Sequence, residues 1–381
     1  MNILAIESSC DETACAVIKD GTEILSNVVA SSTAMHEKWG GIVPEVAARE
    51  QLASILPVLT EALSFFRHEP KKSLALSTKL SFEEIIMRYI DVIAVTVGPG
   101  LIGSLLIGVE AAKTIAFATG KPIIPVNHVL AHMYANFLKT EDRKQKTENE
   151  ILRPPPSVLR FPTFPAISLV VSGGHTELFL MKNEKELKWL GGTIDDAAGE
   201  AFDKSARLLG FGSQGGTAIE KEALKKDTKI QRYKDTEIKL PRPMIHDETL
   251  NFSFSGLKTA ILREVNKLKT NQQWNNEMVQ QFAFEVQEAI TDVLVAKTMK
   301  AAEMYDTKSI LISGGVASNE RLRDKFSSTI HQSPYLPIQF HCPAVDLCTD
   351  NAAFIGSYAF FRGIPEDWHT ITAVPDLSVE G

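Results

Sequence analysis

The two halves of the sequence repeat one order of predicted elements, and this repeat limits the possible folds more than any other feature. In the first half, two short apolar runs on either side of a polar turn predict a hairpin. A helix, a β-branched strand that ends in Gly-Pro-Gly and a second helix follow it. These segments lie at 2–6, 14–18, 44–66, 91–97 and 103–119.

The second half predicts the same series. A hairpin comes first, then a long helical pattern, a strand that ends in Ser-Gly-Gly and a further helix, at 166–171, 176–181, 276–305, 309–312 and from about 319. The matching order indicates a divergent duplication of one α/β unit. Because ligands of such folds bind at the carboxyl ends of the strands, we expect a binding cleft between the two halves.

Length and composition agree with a globular protein of two lobes. The chain has 381 residues, of which 44% are hydrophobic and 23% charged, and these values are typical of ordered domains. We predict an N-terminal α/β lobe at 1–138, completed by a C-terminal helix at about 350–381, and a C-terminal α/β lobe at 166–349. A charged and then proline-rich segment at 139–165 is predicted to be an inserted linker, and a Lys- and Arg-rich stretch occupies 221–239.

Charge, cysteine content and hydropathy exclude several classes of protein. Lysine and arginine total 40 against 47 acidic residues, a net charge of −7, which argues against a dedicated nucleic-acid coat but allows a local basic patch or a basic partner. The spacings of the four cysteines fit neither a disulfide framework nor a zinc ribbon, which indicates a reducing compartment. We find no signal-peptide pattern and no apolar run of about 18–20 residues, so we predict a cytoplasmic protein with no membrane partner.

Two histidines, His128 and His132, are four residues apart. On a helix this spacing places both imidazoles on one face, where they can bind one cation, although two ordinary histidines are the alternative. Val129 follows His128, so the glutamate that acts as base in the H-E-x-x-H motif of zinc peptidases is missing. Asp350 precedes a predicted helix and either caps that helix or supplies a third metal ligand.

Four glycine-rich turns follow predicted strands or precede predicted helices. Backbone N–H groups in such turns can hold a phosphate without basic side chains, which favours a nucleotide-binding protein. Glycines that only supply a positive φ are the alternative. The Lys-Ser/Thr pairing of a P-loop is missing, so that motif is excluded. The turns lie at 98–100, 172–174, 215–216 and 313–315.

Two further motifs leave their roles open. Asp195 and Asp196 precede a predicted helix, where the helix dipole favours carboxylates. Asp203 lies about two turns beyond Asp195 on a similar face, where it could bond a ribose or a substrate hydroxyl. The serine and phenylalanine alternation at 252–255 predicts strand-like core packing of both rings, and Lys258 could be catalytic or could face RNA.

Taken together, the motifs resemble the TsaD/OSGEP family of tRNA threonylcarbamoyladenosine-forming enzymes, which also carries an older description as O-sialoglycoprotein endopeptidases. Nine strings keep the order of that family over most of the chain. They lie at 5–13, 40–45, 98–101, 128–132, 171–177, 195–204, 252–258, 313–319 and 348–351. The resemblance implies an α/β, actin/Hsp70/sugar-kinase-like fold with two duplicated RNase H-like domains and a central ligand cleft.

The resemblance also implies an activity and a set of site residues. Members move a threonylcarbamoyl group from threonylcarbamoyl-AMP to N6 of adenosine 37 in tRNAs that read codons beginning with A, and AMP leaves. The resemblance implies one divalent metal, Fe²⁺ or Zn²⁺, at His128, His132 and Asp350, no organic cofactor, and a reacting centre lined by Asp11 and Glu12. The implied adenylate-binding residues are Val170, Val171, Ser172, Gly173, Gly174, Asp203, Gly216, Glu220 and Asn319.

Macromolecular partners follow from the same resemblance. They are tRNA, a TsaB-like paralogue, a TsaE-like ATPase and, upstream, a TsaC-like enzyme that supplies the adenylate. Two other interpretations share the fold. An ATP-hydrolysing kinase or chaperone-like protein would hold Mg²⁺ through carboxylates and water rather than through paired histidines. A non-catalytic scaffold would lack the histidine pair, which this chain has.

Overall fold

The computed structural model describes residues 1–36, 41–68, 80–139, 161–212, 215–227, 238–332 and 338–380. Most of the predicted linker at 139–165, the centre of the basic stretch at 221–239 and Gly40 lie outside the described residues.

The first half builds a five-stranded mixed sheet in which β1 is central. The strand order is β3-β2-β1-β4-β5, with antiparallel pairing on the β2 side of β1 and parallel pairing on the β4 side. Every side chain of β4 is buried, as expected for a parallel strand covered on both faces. The strands are β1 (Asn2–Glu7), β2 (Glu12–Lys19), β3 (Glu23–Ser31), β4 (Val92–Gly98) and β5 (Ile123–Asn127).

In the described part of this half, five α-helices accompany the sheet. They are α1 (Thr33–His36), α2 (Pro44–Ala62), α3 (Phe82–Tyr89), α4 (Ile102–Thr119) and α5 (His128–His132). Ser81 and Glu84 form a reciprocal capping box at the start of α3, and Gly120 ends α4 with a φ of 67°. Among the described residues, α4 is the one helix long and apolar enough to cross a membrane, but it packs against α2 and β4 as a core helix does.

The second half repeats this topology. Its sheet has the order β10-β9-β6-β7-β8, so that β6 takes the place of β1 and β9 the place of β4. The strands are β6 (Ala166–Val171), β7 (Thr176–Met181), β8 (Leu187–Gly192), β9 (Ser309–Ser313) and β10 (Gln339–His341). The predicted duplication of an α/β unit is therefore confirmed.

Among the residues described in the second half, six α-helices complete the lobe, and the last of them returns the chain to the first. They are α6 (Ala198–Leu209), α7 (Gly215–Asp227), α8 (Ser255–Thr270), α9 (Asn276–Met304), α10 (Glu320–Gln332) and α11 (Ala352–Phe361). Helix α11 packs on β1 and β2, and a Cβ at Gly356 would lie 2.6 Å from the Ile18 side chain. This contact agrees with the prediction that a C-terminal helix completes the first lobe. The bounds of the two domains remain a prediction.

One hydrophobic core lies between the two sheets and contains side chains of both. Ile3 and Ala14 of the first sheet share it with Phe179 and Leu311 of the second, and Phe354 of α11 joins them. Separate cores lie on the outer faces, under α2 and α4 in the first half and under α6 to α9 in the second. The shared core packs the two sheets against each other, and we expect the ligand cleft at the carboxyl ends of their parallel strands.

The expectation of a strand at 252–255 is wrong in part. Phe252 forms only an isolated bridge with Thr193, and Phe254 directly precedes α8. The packing half of the expectation is correct, because both rings are buried and lie parallel with their centroids 6.5 Å apart.

Candidate functional site

The helix that carries the two histidines begins where β5 ends. The Asn127 side chain caps that helix by accepting the backbone N–H of Leu130 at 3.1 Å. His128 and His132 therefore point the same way and are both buried. Oδ1 of Asp350, just before α11, lies 3.6 Å from Nε2 of His128 and 3.4 Å from Nε2 of His132.

Asp350 does not cap α11. The cap is the neighbouring Asn351, whose side chain accepts the backbone N–H of Ala353 at 2.9 Å. The interpretation of Asp350 as a helix cap is therefore wrong, and its carboxylate is left free to face the histidines.

The three side chains fit a divalent metal ion. Their ligand atoms all lie within 4.8 Å of one another. Two atoms bound at about 2.0–2.1 Å in a tetrahedral arrangement lie roughly 3.4 Å apart, close to the separations from Asp350 to the two rings. Neither ring nitrogen of the buried His132 has a hydrogen-bond partner among the described residues, so its lone pair is available to an ion.

The local electrostatics support this arrangement. Burial disfavours the charged form of His128, but the negative charges of Glu7 and Asp350 outweigh burial and raise the pKa of His128 to about 9. Burial lowers the pKa of His132. Burial would raise the pKa of Asp350, yet the neighbouring histidines hold it far below its usual range. The Asp350 side chain is therefore an ionised carboxylate beside two imidazole rings.

Glu7 is a site residue that the sequence motifs did not single out. It ends β1, is fully buried, and lies with Oε2 3.0 Å from Nδ1 of His128. The signal in the sequence was a charged residue at the end of an otherwise apolar strand, because a buried carboxylate in that position needs partners.

Asp11 and Glu12 lie at the turn between β1 and β2 and at the start of β2. Oδ2 of Asp11 accepts the Thr33 hydroxyl at 2.9 Å. Burial, together with the negative charges of Asp350 and Asp11, raises the pKa of Glu12 to about 10. The raised pKa favours the protonated form of Glu12 at neutral pH.

The turn after β6 is shaped by close backbone contacts. A Cβ at Gly199, in the first turn of α6, would lie 2.5 Å from the Ser172 carbonyl oxygen. A Cβ at Gly314, which has a φ of 89°, would overlap the carbonyl oxygen of Val171. Both glycines let backbone approach this turn closely. The end of β6 and this turn together comprise the predicted adenylate-binding residues Val170, Val171, Ser172, Gly173 and Gly174.

The other predicted adenylate-binding residues continue from this turn as a chain of contacts. The Asp203 carboxylate on α6 accepts backbone N–H groups of Gly215 and Gly216, which begin α7. One turn along α7, Oε1 of Glu220 accepts the backbone N–H of Glu320 at 2.7 Å.

Asn319 precedes Glu320 and closes the chain of contacts. Its Oδ1 accepts the backbone N–H of Leu322, and its Nδ2 donates to Gln287. The structure brings these residues together, although several of their polar atoms already have partners within the protein.

His175 connects the turn to the histidine cluster. Its backbone N–H donates to Ser172 Oγ at 3.1 Å. Burial and the neighbouring His128 and His132 lower the pKa of His175 to about 4, and His175 also helps to keep the pKa of Asp350 low. His128 and His132 of the first lobe therefore act electrostatically on His175 of the second, a relation that the sequence did not reveal.

The interpretation of Asp195 as a carboxylate at the start of α6 is wrong. That helix begins at Ala198, so Asp195 and Asp203 do not share a helix face. Asp195 instead accepts the backbone N–H of Phe254 at 2.8 Å and both the N–H and the hydroxyl of Ser255. It therefore binds the start of α8.

Comparison with known proteins identifies the family of the chain. The family model of TsaD, described as tRNA N6-adenosine threonylcarbamoyltransferase, matches residues 23–147 and 155–357. The curated tRNA N6-adenosine threonylcarbamoyltransferase of Moorella thermoacetica is 42% identical over 379 residues, which cover 99% of this chain and 96% of the relative. Proteins of the same name from Persephonella marina and Clostridium botulinum are 41% and 42% identical, and the matches cover 100% of this chain and 94% and 98% of theirs.

Solved structures add information on the fold alone. Full-length HypF in its phosphate- and nucleotide-bound form gives a TM-score of 0.56 at 10% identity, covering 94% of this chain and 46% of HypF. HypF of T. kodakarensis gives 0.52 at 13% identity, covering 94% and 47%. The duplicated sheets are those of the actin/Hsp70/sugar-kinase-like α/β fold, as predicted. With the family model matching most of its length, the chain belongs to the TsaD family of tRNA N6-adenosine threonylcarbamoyltransferases.

Proposed function

We propose that the chain transfers the threonylcarbamoyl group from threonylcarbamoyl-AMP to N6 of adenosine 37 in tRNAs that read codons beginning with A, with release of AMP. The observation that carries the proposal is the cluster of His128, His132 and Asp350, whose ligand atoms lie within 4.8 Å of one another, in a chain whose second lobe offers the glycine turn at 172–174. A site for one metal ion, together with a backbone turn that can bind phosphate, suits an activated adenylate.

The donor would be held by the second lobe. Backbone N–H groups of Gly173 and Gly174 can donate to the phosphate without a basic side chain, whereas the N–H of Ser172 already donates to the carbonyl oxygen of His175 at 2.8 Å. Asp203 and Glu220 carry carboxylates near this turn, in positions where a ribose hydroxyl could donate to them. We propose that the remaining predicted residues, Gly216 and Asn319, shape the same pocket.

The metal, iron or zinc, would be held by His128, His132 and Asp350. When bound, it would orient the donor and polarise the carbamoyl carbonyl group. The chain's own contribution is to keep two imidazole nitrogens and one carboxylate oxygen within reach of a single point.

The acceptor amine is a weak nucleophile because its lone pair is delocalised into the adenine ring. The donor is already a mixed anhydride, so the main tasks of the protein are positioning and charge stabilisation. In the proposed step N6 attacks the carbamoyl carbon and the bond from that carbon to the phosphate oxygen breaks. The amine proton passes to a carboxylate, and AMP leaves.

Of the two predicted carboxyl groups, Asp11 suits the role of proton acceptor better. Glu12 has a pKa raised to about 10 by burial and by the charges of Asp350 and Asp11, so at neutral pH it already carries a proton. We expect Asp11→Asn to lower kcat about 100-fold or more, whereas Glu12→Gln, which mimics the protonated acid, should keep most of the activity. Loss of activity in Glu12→Gln with full activity in Asp11→Asn would reverse the assignment.

Helices α2 and α4 carry an exposed apolar surface, which we propose binds a partner protein. Leu52 and Leu56 on α2 are 65% and 68% exposed, and Ile102 and Leu106 on α4 are 50% and 41% exposed. Each pair is spaced by four residues, so the two helices present one apolar face. We propose that a TsaB-like paralogue covers this face, that a TsaE-like ATPase joins the complex and that a TsaC-like enzyme supplies the adenylate in the cytoplasm.

Leu52→Asp/Leu56→Asp should abolish co-elution with the paralogue, and unchanged co-elution would place the contact elsewhere.

The proposal is tested by a transfer assay. Purified protein and its partners are mixed with unmodified tRNA and enzymatically made threonylcarbamoyl-AMP, and the nucleosides are read by mass spectrometry. We expect modified adenosine with the wild type and none with His128→Ala/His132→Ala. ATP turnover without modified tRNA would instead favour a kinase-like or chaperone-like ATPase.

A further inference from the structure

A buried carboxylate lies directly behind the His128 ring. Glu7 contacts Nδ1 of that ring, whereas Nε2 of the same ring faces Asp350. We infer that Glu7 is a positioning residue that holds His128 in the tautomer with its proton on Nδ1, so that the Nε2 lone pair is free for the metal. The inference rests on the metal site proposed above and assigns a role to a residue that touches neither metal nor substrate.

The orientation of the Glu7 carboxylate is fixed by two other donors. The backbone N–H of Ser9 donates to Oε1 at 2.6 Å, and the Thr96 hydroxyl donates to Oε2 at 2.7 Å. With both oxygens anchored, Oε2 can only accept from His128, since a carboxylate has no proton to offer. The Ser9 hydroxyl, 3.2 Å from the same Nδ1, can serve as a second acceptor. A metal-binding histidine whose other nitrogen donates to a carboxylate is oriented and made more basic by that bond.

The second histidine has no such support. Neither Nδ1 nor Nε2 of His132 has a hydrogen-bond partner among the described residues. Its ring is held by packing, with its centroid 4.5 Å from that of Phe354. The two ligands on α5 are therefore not equivalent, and a change at Glu7 should act through His128 alone.

Replacement of Glu7 by glutamine makes a sharp test because the contacts dictate which way the amide turns. The backbone N–H of Ser9 cannot accept a hydrogen bond, so the amide oxygen must occupy the Oε1 position. The amide NH₂ then faces the Thr96 hydroxyl, which can rotate to accept, and Nδ1 of His128. That nitrogen would have to accept, which moves the ring proton to Nε2 and into the metal position.

The experiment measures the Zn²⁺ dissociation constant of the full-length metal-free protein by competition with a chromophoric chelator. We expect Glu7→Gln to raise the constant about 10–100-fold, and the Ser9 hydroxyl prevents complete loss. In a His128→Ala background the same substitution should change the constant less than about threefold, because Glu7 acts on the metal site only through the His128 ring. Glu285→Gln is the matched control, since Glu285 is also buried but binds Arg242 and the N–H of Leu240.

The outcomes separate this inference from the proposed function. Equal Zn²⁺ affinity in wild type and Glu7→Gln, or an undiminished effect in the His128→Ala background, overturns the role of Glu7 and leaves the metal site standing. A wild type that binds no Zn²⁺ overturns both. If Glu7→Gln does not fold, the ring ¹⁵N shifts of the Zn²⁺-loaded wild type decide. A proton on Nδ1 of His128 with the metal on Nε2 is the expected result, and the reverse arrangement contradicts the inference.

Discussion

The backbone N–H of Glu320 donates to the Glu220 carboxylate across 2.7 Å, which ties the first turn of α10 to α7. Glu220 was predicted to bind the adenylate, but in the structure its Oε1 already accepts from the protein. The contact gives this residue a structural role in addition to any role toward a ligand, and the two roles can be separated by substitution.

Glu220→Gln keeps the acceptor oxygen, whereas Glu220→Ala removes it. We expect Glu220→Ala to destabilise the protein by about 1 kcal/mol, the usual cost of losing a helix cap, while Glu220→Gln melts close to the wild type. Thermal unfolding and the KM for threonylcarbamoyl-AMP are measured together. A raised KM in Glu220→Gln at unchanged stability would show a direct contact with the donor, and equal melting points in both variants would contradict the capping role.

Gly314 is required by the backbone it packs against. Its left-handed φ costs an alanine about 1–2 kcal/mol, and overlap with the Val171 carbonyl adds about 1–3 kcal/mol. We expect Gly314→Ala to lose roughly 2–5 kcal/mol, the sum of both costs, in urea unfolding. Gly120→Ala is the control, because Gly120 also has a positive φ but a Cβ there meets nothing within 4 Å. Equal losses in the two variants would show that backbone strain, rather than the contact with Val171, sets the cost.

Asp195 should make stability depend on acid pH. Burial would raise its pKa, but hydrogen bonds from Ser253, Phe254 and Ser255 lower it to about 2. A carboxyl whose pKa is lowered on folding stabilises the protein above its ordinary pKa and loses that contribution as pH falls. We expect Asp195→Ala to cost about 1 kcal/mol or less at pH 7, since the group is exposed, and the gap to the wild type to close between about pH 4 and pH 2. A gap that does not change with pH would contradict this account.

Asp350 should link metal binding to stability. At a free Zn²⁺ concentration about 100 times the dissociation constant, binding to the native state alone adds about 2.7 kcal/mol. We expect Zn²⁺ to raise the melting temperature of the wild type and EDTA to reverse the rise, while Asp350→Asn shows little response. Asp346→Asn, an exposed position in the preceding turn, should respond like the wild type. A full response in Asp350→Asn would remove this residue from the ligand set.

Local pattern was enough to predict several elements. The predicted bounds of β6 and β7 agree with the structure at both ends, because alternating apolar runs and a Gly-Gly turn are short-range signals. The four-residue spacing of His128 and His132 is also a short-range signal, and it was sufficient to predict that both side chains lie on one helix. The strand β5 was missed because Ile123–Asn127 lies within a longer apolar stretch and contains Pro125, which speaks against a strand.

The contacts that complete the site are long-range, and the sequence could not predict them. The approach of Glu7 to His128 depends on β1, β4 and β5 lying side by side in parallel. Asp195 and Ser255 form a hydrogen bond although they are 60 residues apart in the sequence. Asp350 and Asn351 are neighbours, and either residue type can cap α11. Which of the two does so depends on the local backbone conformation, which the sequence does not give.

The placement of the third predicted ligand bears on when the site can be assembled during synthesis. His128 and His132 leave the ribosome well before the second sheet is made, but Asp350 emerges only after β10 and reaches the histidines because α11 docks on β1 and β2. A nascent chain that still lacks α11 therefore offers an ion two nitrogens and no carboxylate. Tight metal uptake would mark a chain whose synthesis has passed α11 and whose first lobe has closed, so copies that stop before α11 would not sequester the ion.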